Sequence, residues 1–299
     1  MTEPKGAILM RIILGLLAAL SVPAVADTDP LLSDPATIDR ENPPGMVELQ
    51  IPSAGAMMNG HMYLAGGAGP HPTVVMLHGF PGNEKNLDTA QMLRRAGFNV
   101  LYFHYRGAWG SGGDYHLANV VADAKAAVAY VRAQGEAGKD RVDPTRVSLF
   151  GHSLGGFNAI LNGAADTGLA CTVAAAPADM VNFVENADPN IVVSAGANTP
   201  VPGLKNYSFA DLIKETDADR EAFDLQSKMA AFKGRALMIV TAEGDVVVPP
   251  EGQQALADAA KAGGAKPFRH VVMDGDHGFA WTRIAFNTTV TNWMSEHCR

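Results

Sequence analysis

The sequence predicts an α/β sandwich: a mostly parallel sheet of about eight strands, helices on both faces, and a small cap-like insertion over one edge. Three observations predict it. Short β-branched apolar runs alternate with stretches of helical spacing along nearly the whole chain. The runs are continuous rather than alternating, as in strands buried on both faces. Of the 299 residues 47% are hydrophobic, enough for one sizeable core without a second domain.

Taken in order, Met46–Ile51 and His61–Ala65 read as an edge hairpin, and Pro72–His78 as the first fully buried strand. A helical stretch over Asn86–Gly97 is ended by that glycine, and Phe98–Tyr105 is the next strand. Asp114–Gln134 places Val120, Val121, Ala124, Ala127, Val128 and Val131 on one helical face. The strand Arg146–Phe150 runs into a helix of small residues, Leu154–Ala165. Cys171–Ala176 and Arg235–Ala242 are further strands, the second followed by a helix over Glu251–Gly263. Pro267–Met273 is the last strand and Trp281–His297 the closing helix. The connection between the strands at 171 and 235 is far longer than such loops usually are, and about 177–233 is expected to form the insertion.

The first residues stand apart. Arg11 precedes an apolar run ending in Ala24-Val25-Ala26, the plan of a secretory signal peptide with cleavage after Ala26. Met10 offers an alternative start. Residues 27–299 would then be a single domain exported to the periplasm or the medium. The formal net charge of −8, with no basic run, argues against a nucleic-acid partner. The mature chain is expected to carry no stable membrane insertion. Cys171 and Cys298 are the only cysteines: in an oxidising compartment they could form one bridge, and otherwise they are a buried thiol and a terminal one.

Chemistry concentrates at Gly151-His-Ser-Leu-Gly155, a G-x-S-x-G motif with a strand before it and a helix after it. So tight a turn strains the serine and leaves no room for side chains two residues either side. Ser153 would project above the sheet at a helix N-terminus, where the dipole favours developing negative charge. A hydroxyl needs a base, and the base an orienting acid. Asp245 lies in a Gly-containing turn just past a buried strand, and His277 in the loop after the final strand. Glu243, Asp274 and Asp276 are the competing acids. The backbone N–H groups of Leu154 and of Phe80, in His78-Gly-Phe-Pro-Gly82, are the expected oxyanion donors.

Together, His78–Gly82, Gly151–Gly155, Gly244-Asp245 and Asp276-His-Gly-Phe279 resemble the serine hydrolases of the α/β-hydrolase superfamily, from about Met46 to the C-terminus. The loop Tyr105–Gly113 resembles those of the esterase, dienelactone hydrolase-like and prolyl oligopeptidase-related branches. The resemblance implies an entrance lined by Tyr105 and Trp109, and Phe183 in the insertion is a third expected substrate contact. Ser153 at the elbow excludes the carboxylate-nucleophile chemistries of this fold. No metal-ligand spacing, P-loop or dinucleotide fingerprint is present, so no cofactor and no metal are expected.

The resulting expectation is an exported serine hydrolase that cleaves small-molecule carboxylic esters through Ser153, His277 and Asp245. An amino- or oligopeptidase of the same fold is the alternative. A non-catalytic binding protein on this scaffold stands behind both, since all three candidate residues are present. Asp179, Glu185 and Asp188 could grip an amine or could be solvated charges.

Overall fold

The computed structural model describes residues 32–34, 37–186 and 196–299. The expected leader, residues 1–26, and Asp188 lie outside the described residues. Eight strands form one sheet in the order β1-β2-β4-β3-β5-β6-β7-β8. β1 (Gly45–Ser53) and β2 (Ala56–Leu64) make the edge hairpin, and β2 also pairs antiparallel with β4 (Asn99–Phe103). Every other neighbouring pair is parallel: β4 with β3 (His71–Leu77), β3 with β5 (Val142–His152), then β6 (Thr172–Ala175), β7 (Leu237–Ala242) and β8 (Phe268–Met273). A parallel neighbour needs a crossover, and the crossover helices cover both faces.

Successive strand residues point to opposite faces, so each central strand feeds two cores. Val75, Leu77, Leu149, Ala174, Leu237 and Ile239 face one side, against α2 (Leu117–Glu136), α3 (Leu154–Ala165) and a helix over Pro250–Ala262. Val74, Met76, Phe150, Val173, Met238 and Val240 face the other, where α1 (Leu87–Arg95) and the closing helix Arg283–His297 bring Leu93, Phe286, Val290 and Trp293. Cys171 and Cys298 are joined in a disulfide, with Cα atoms 5.3 Å apart, tying the start of β6 to the C-terminus.

Between β6 and β7 the chain forms α4 (Met180–Asn186), α5 (Phe209–Ala218), α6 (Arg220–Phe223), α7 (Leu225–Lys228) and a 3-10 turn over Met229–Phe232. Ser208 caps α5 through a capping box with Asp211, each side chain meeting the other's backbone N–H. α4 and α5 face each other beside the end of β6, with Phe183 and Phe209 rings 5.8 Å apart. This segment is where the insertion was expected, and it places these helices at the carboxyl ends of the strands.

Candidate active site

β5 delivers Ser153 into a left-handed backbone conformation, φ 59° and ψ −123°, which costs a non-glycine residue roughly 1–3 kcal/mol. The surroundings hold it there. Its N–H donates to Ala175 O at 2.9 Å, and its carbonyl accepts from the N–H groups of Phe157 and Ala178, both at 3.1 Å. A methyl group on Gly151 would lie 1.9 Å from the Gly155 carbonyl oxygen, and one on Gly155 would lie 1.9 Å from that of Leu77. Both contacts are with backbone, so neither glycine can be replaced without moving a strand. Gly79 is close as well: a Cβ there would meet Ser153 Cβ at 3.0 Å. The loop after β3 therefore lies directly on the serine.

The acid and the histidine come from neighbouring strand ends. Nδ1 of His277 donates to Oδ2 of Asp245 at 2.7 Å, while Oδ1 accepts the amides of Val247 and Val248 at 2.9 and 2.8 Å. Asp245 is buried, and burial alone would raise its pKa. The His277 hydrogen bond and charge and the two amides outweigh burial and hold the carboxyl below its ordinary value. Among the competing acids, Asp276 spends its Oδ1 on the amide of Ala280 at 2.6 Å. Glu243 follows β7 as an exposed residue.

Two residues outside the expected set fasten the histidine loop. Nε2 of His152, the residue before Ser153, donates to the His277 carbonyl at 2.7 Å. Arg283 donates to the next carbonyl, Gly278, at 2.9 Å, and reaches Asp88 at 2.6 Å and Asn86 at 2.8 Å at the start of α1. Burial drops the His152 pKa to about 4, so the ring is neutral and keeps the one N–H that the carbonyl needs. Gln253 fastens the acid loop instead: it is buried on the helix after that loop and donates to Val248 O at 2.8 Å and, at 3.4 Å, to Oδ2 of Asp245.

Phe80, Ser153 and Leu154 line one cavity of about 310 Å³. Leu154 is the first residue of α3, so its N–H has no partner within the helix and is available to an oxyanion. The far walls are apolar: Met180 and Phe183 from α4, Phe209 and Leu212 from α5, and Val246, Val247, Val248 and Pro249 from the acid loop.

The other two expected substrate contacts lie elsewhere. Tyr105 is fully buried, and its hydroxyl donates to the His78 carbonyl at 3.1 Å, beneath the loop that follows β3 rather than at the entrance. Trp109 does not line the cavity; its indole N–H donates to Pro81 O at 2.8 Å and braces the same loop from outside. Both side chains are spent on holding Gly79–Gly82 in place. Among the described residues no group of three or more His, Cys, Asp and Glu is placed to hold a metal ion, and no helix is long and apolar enough to cross a membrane.

A strained serine on a strand-to-helix elbow, with acid and histidine on later strand ends of a mostly parallel sheet, defines a hydrolase of the α/β-hydrolase superfamily. The chain belongs to the prolyl oligopeptidase family, whose pattern matches residues 86–299 and so begins just after the loop that follows β3. It is 34% identical over 99 residues to an uncharacterised Mycobacterium tuberculosis protein, 33% of each chain. It is 29% identical over 141 residues to the quorum-quenching protein AidA of Acinetobacter baumannii, 45% of each. The matched stretch thus spans a third to under half of these relatives. Among solved structures it is similar to Est1E of Butyrivibrio proteoclasticus with ferulic acid bound (TM-score 0.66, 19% identity, 83% of this chain and 98% of that one). It is also similar to the Pyrococcus furiosus esterase Pf2001 (TM-score 0.64, 17% identity, 89% and 100%). At such identities the likeness is one of fold.

Proposed function

We propose that this protein is an exported serine esterase acting on small carboxylic esters with a largely apolar acyl portion. Ser153 Oγ attacks the ester carbonyl as its proton passes to Nε2 of His277, while Asp245 holds Nδ1–H and stabilises the imidazolium. The N–H groups of Phe80 and Leu154 receive the oxyanion. Collapse expels the alcohol, which takes the proton from Nε2, and leaves an acyl-enzyme. Water, deprotonated by the same nitrogen, then releases the acid and restores Ser153.

The observation that carries this reading is the 2.7 Å contact of His277 Nδ1 with Asp245 Oδ2. It fixes the tautomer that leaves Nε2 basic, on a loop bonded to the residue before the serine. The apolar walls favour an acyl group over a polar peptide. Export draws support from the leader-like N-terminus and from the Cys171–Cys298 disulfide. Family membership gives weight to a second reading, an amino- or oligopeptidase working through the same residues.

Ser153→Ala should abolish fluorophosphonate labelling and cut p-nitrophenyl ester turnover by roughly 1,000-fold or more while the protein stays folded. Undiminished turnover would remove Ser153 from the mechanism. Acyl p-nitrophenyl esters run beside aminoacyl p-nitroanilides separate esterase from peptidase.

A further inference from the structure

Among the described residues the walls of the cavity carry a single ionisable side chain, Asp179, among mostly apolar neighbours. It follows β6 by four residues, and the residue before it, Ala178, donates its N–H to the Ser153 carbonyl at 3.1 Å. The carboxylate is therefore anchored next to the nucleophile's own backbone. Only 7% of Asp179 is exposed.

Its local duty does not account for a charge. Oδ1 accepts the Asn182 N–H at 3.1 Å and so caps α4. Asn or Ser caps a helix about as well, without putting an ion into an apolar wall. No described cation pairs with Asp179, and Arg220 is taken by Glu185 at 2.8 Å and by Asp217. The stretch 187–195 that follows α4 contains no basic residue. Burial, followed by the acidic Asp224 and Glu185, pushes its pKa up, and these outweigh the opposing amides of Asn182 and Val181. An unpaired carboxylate inside a negative field is unfavourable with the cavity empty and is relieved when a cation enters.

We propose that Asp179 is a cation-recognition residue of the substrate cavity, and that the substrates are esters whose acyl portion carries a protonated amine. This rests on the esterase reading above. Asp179 Oδ2 would take an ammonium N–H while the alkyl stem packs on Met180, Phe209 and Leu212. Acyl groups bearing a carboxylate would be excluded by the same charge.

The test uses two isosteric pairs of p-nitrophenyl esters, alaninate against isobutanoate and 6-aminohexanoate against heptanoate. With the wild-type protein at least one ammonium ester should have the higher kcat/KM. In Asp179→Asn, which keeps the helix cap, the ratio of cationic to neutral kcat/KM should fall about 10–100-fold, the worth of one charged hydrogen bond. A wild-type preference for the neutral ester in both pairs, or a ratio unchanged by Asp179→Asn, overturns the proposal and leaves the esterase reading standing. Turnover of none of the four esters overturns the esterase reading instead. Cation recognition is then read from fluorophosphonate labelling of Ser153: protection by hexylammonium but not by 1-hexanol, lost in Asp179→Asn, supports it, and equal protection refutes it.

Discussion

Asp245→Asn changes one atom and should disable the base without disturbing the fold. In the wild-type site Oδ1 accepts two amides, from Val247 at 2.9 Å and Val248 at 2.8 Å, and Oδ2 accepts from His277 Nδ1 at 2.7 Å. Gln253 Nε2 is a fourth and longer donor, 3.4 Å from Oδ2, and asparagine has a single carbonyl oxygen for all of them. Turning its NH2 towards Val247 and Val248 would oppose donors to donors in a buried site, leaving two amides unpaired at roughly 1–3 kcal/mol each. The oxygen therefore stays with the amides and the NH2 faces His277. That NH2 can only donate, so Nδ1 must accept and the ring proton moves to Nε2, the atom required to take the Ser153 proton. The expected loss in kcat is about 10,000-fold, or roughly 5.5 kcal/mol of barrier, the scale of the same wrong-tautomer change in serine proteases. The measurement is p-nitrophenyl butyrate turnover near neutral pH, with thermal unfolding and near-UV circular dichroism to show that the fold persists. Glu243→Gln is the matched control and should stay within a few-fold of wild type. If Asp245→Asn keeps more than about a tenth of the activity, the tautomer argument is refuted. If Glu243→Gln loses it instead, the acid is Glu243.

Two further outcomes concern stability. Cys171 and Cys298 close a loop with a sequence separation of 127, for which loop entropy alone gives about 5 kcal/mol, so Cys298→Ser should cost at least about 2 kcal/mol in denaturant unfolding. A thiol assay that finds two free cysteines in the exported protein would refute the bridge. His78 and His152 are both fully buried with pKa values lowered by burial to about 4 from 6.5. Because the folded values are depressed, the unfolded chain binds more protons in this range. Their contribution is present above pH 6.5 and lost as pH falls towards 4, so the melting temperature should decline through that window, and a flat profile would contradict their neutral burial.

Much of the site was legible because its chemistry is written locally. Gly151 and Gly155 flank Ser153 at two residues either side, and the structure shows why: a Cβ at either would penetrate a backbone carbonyl. Asp245 and His277 were legible as polar residues just past apolar strands, where a parallel sheet collects its strand ends. Tyr105 and Trp109 were read as entrance residues from the loop they occupy, and chain position carries no information on side-chain direction. Packing turned Tyr105 under the loop that follows β3, where its hydroxyl finds the His78 carbonyl, and turned Trp109 against Pro81. Gln253 and Arg283 were missed as contributors because each acts through a backbone carbonyl, Val248 and Gly278, and a carbonyl leaves no mark in sequence. Gln253 offered one faint signal, a polar side chain at a core-facing position of the helix after the acid loop.

By itself the sequence determined the alternation of strands and helices, the strained elbow at Ser153 and the order serine, acid, histidine, because periodicity and glycine placement act within a few residues. Only the tertiary structure decided the pairing of Cys171 with Cys298, the acid that meets His277, and the apolar cavity with Asp179 in its wall. Those depend on contacts between segments far apart in the chain, which form only when both faces of the sheet are buried.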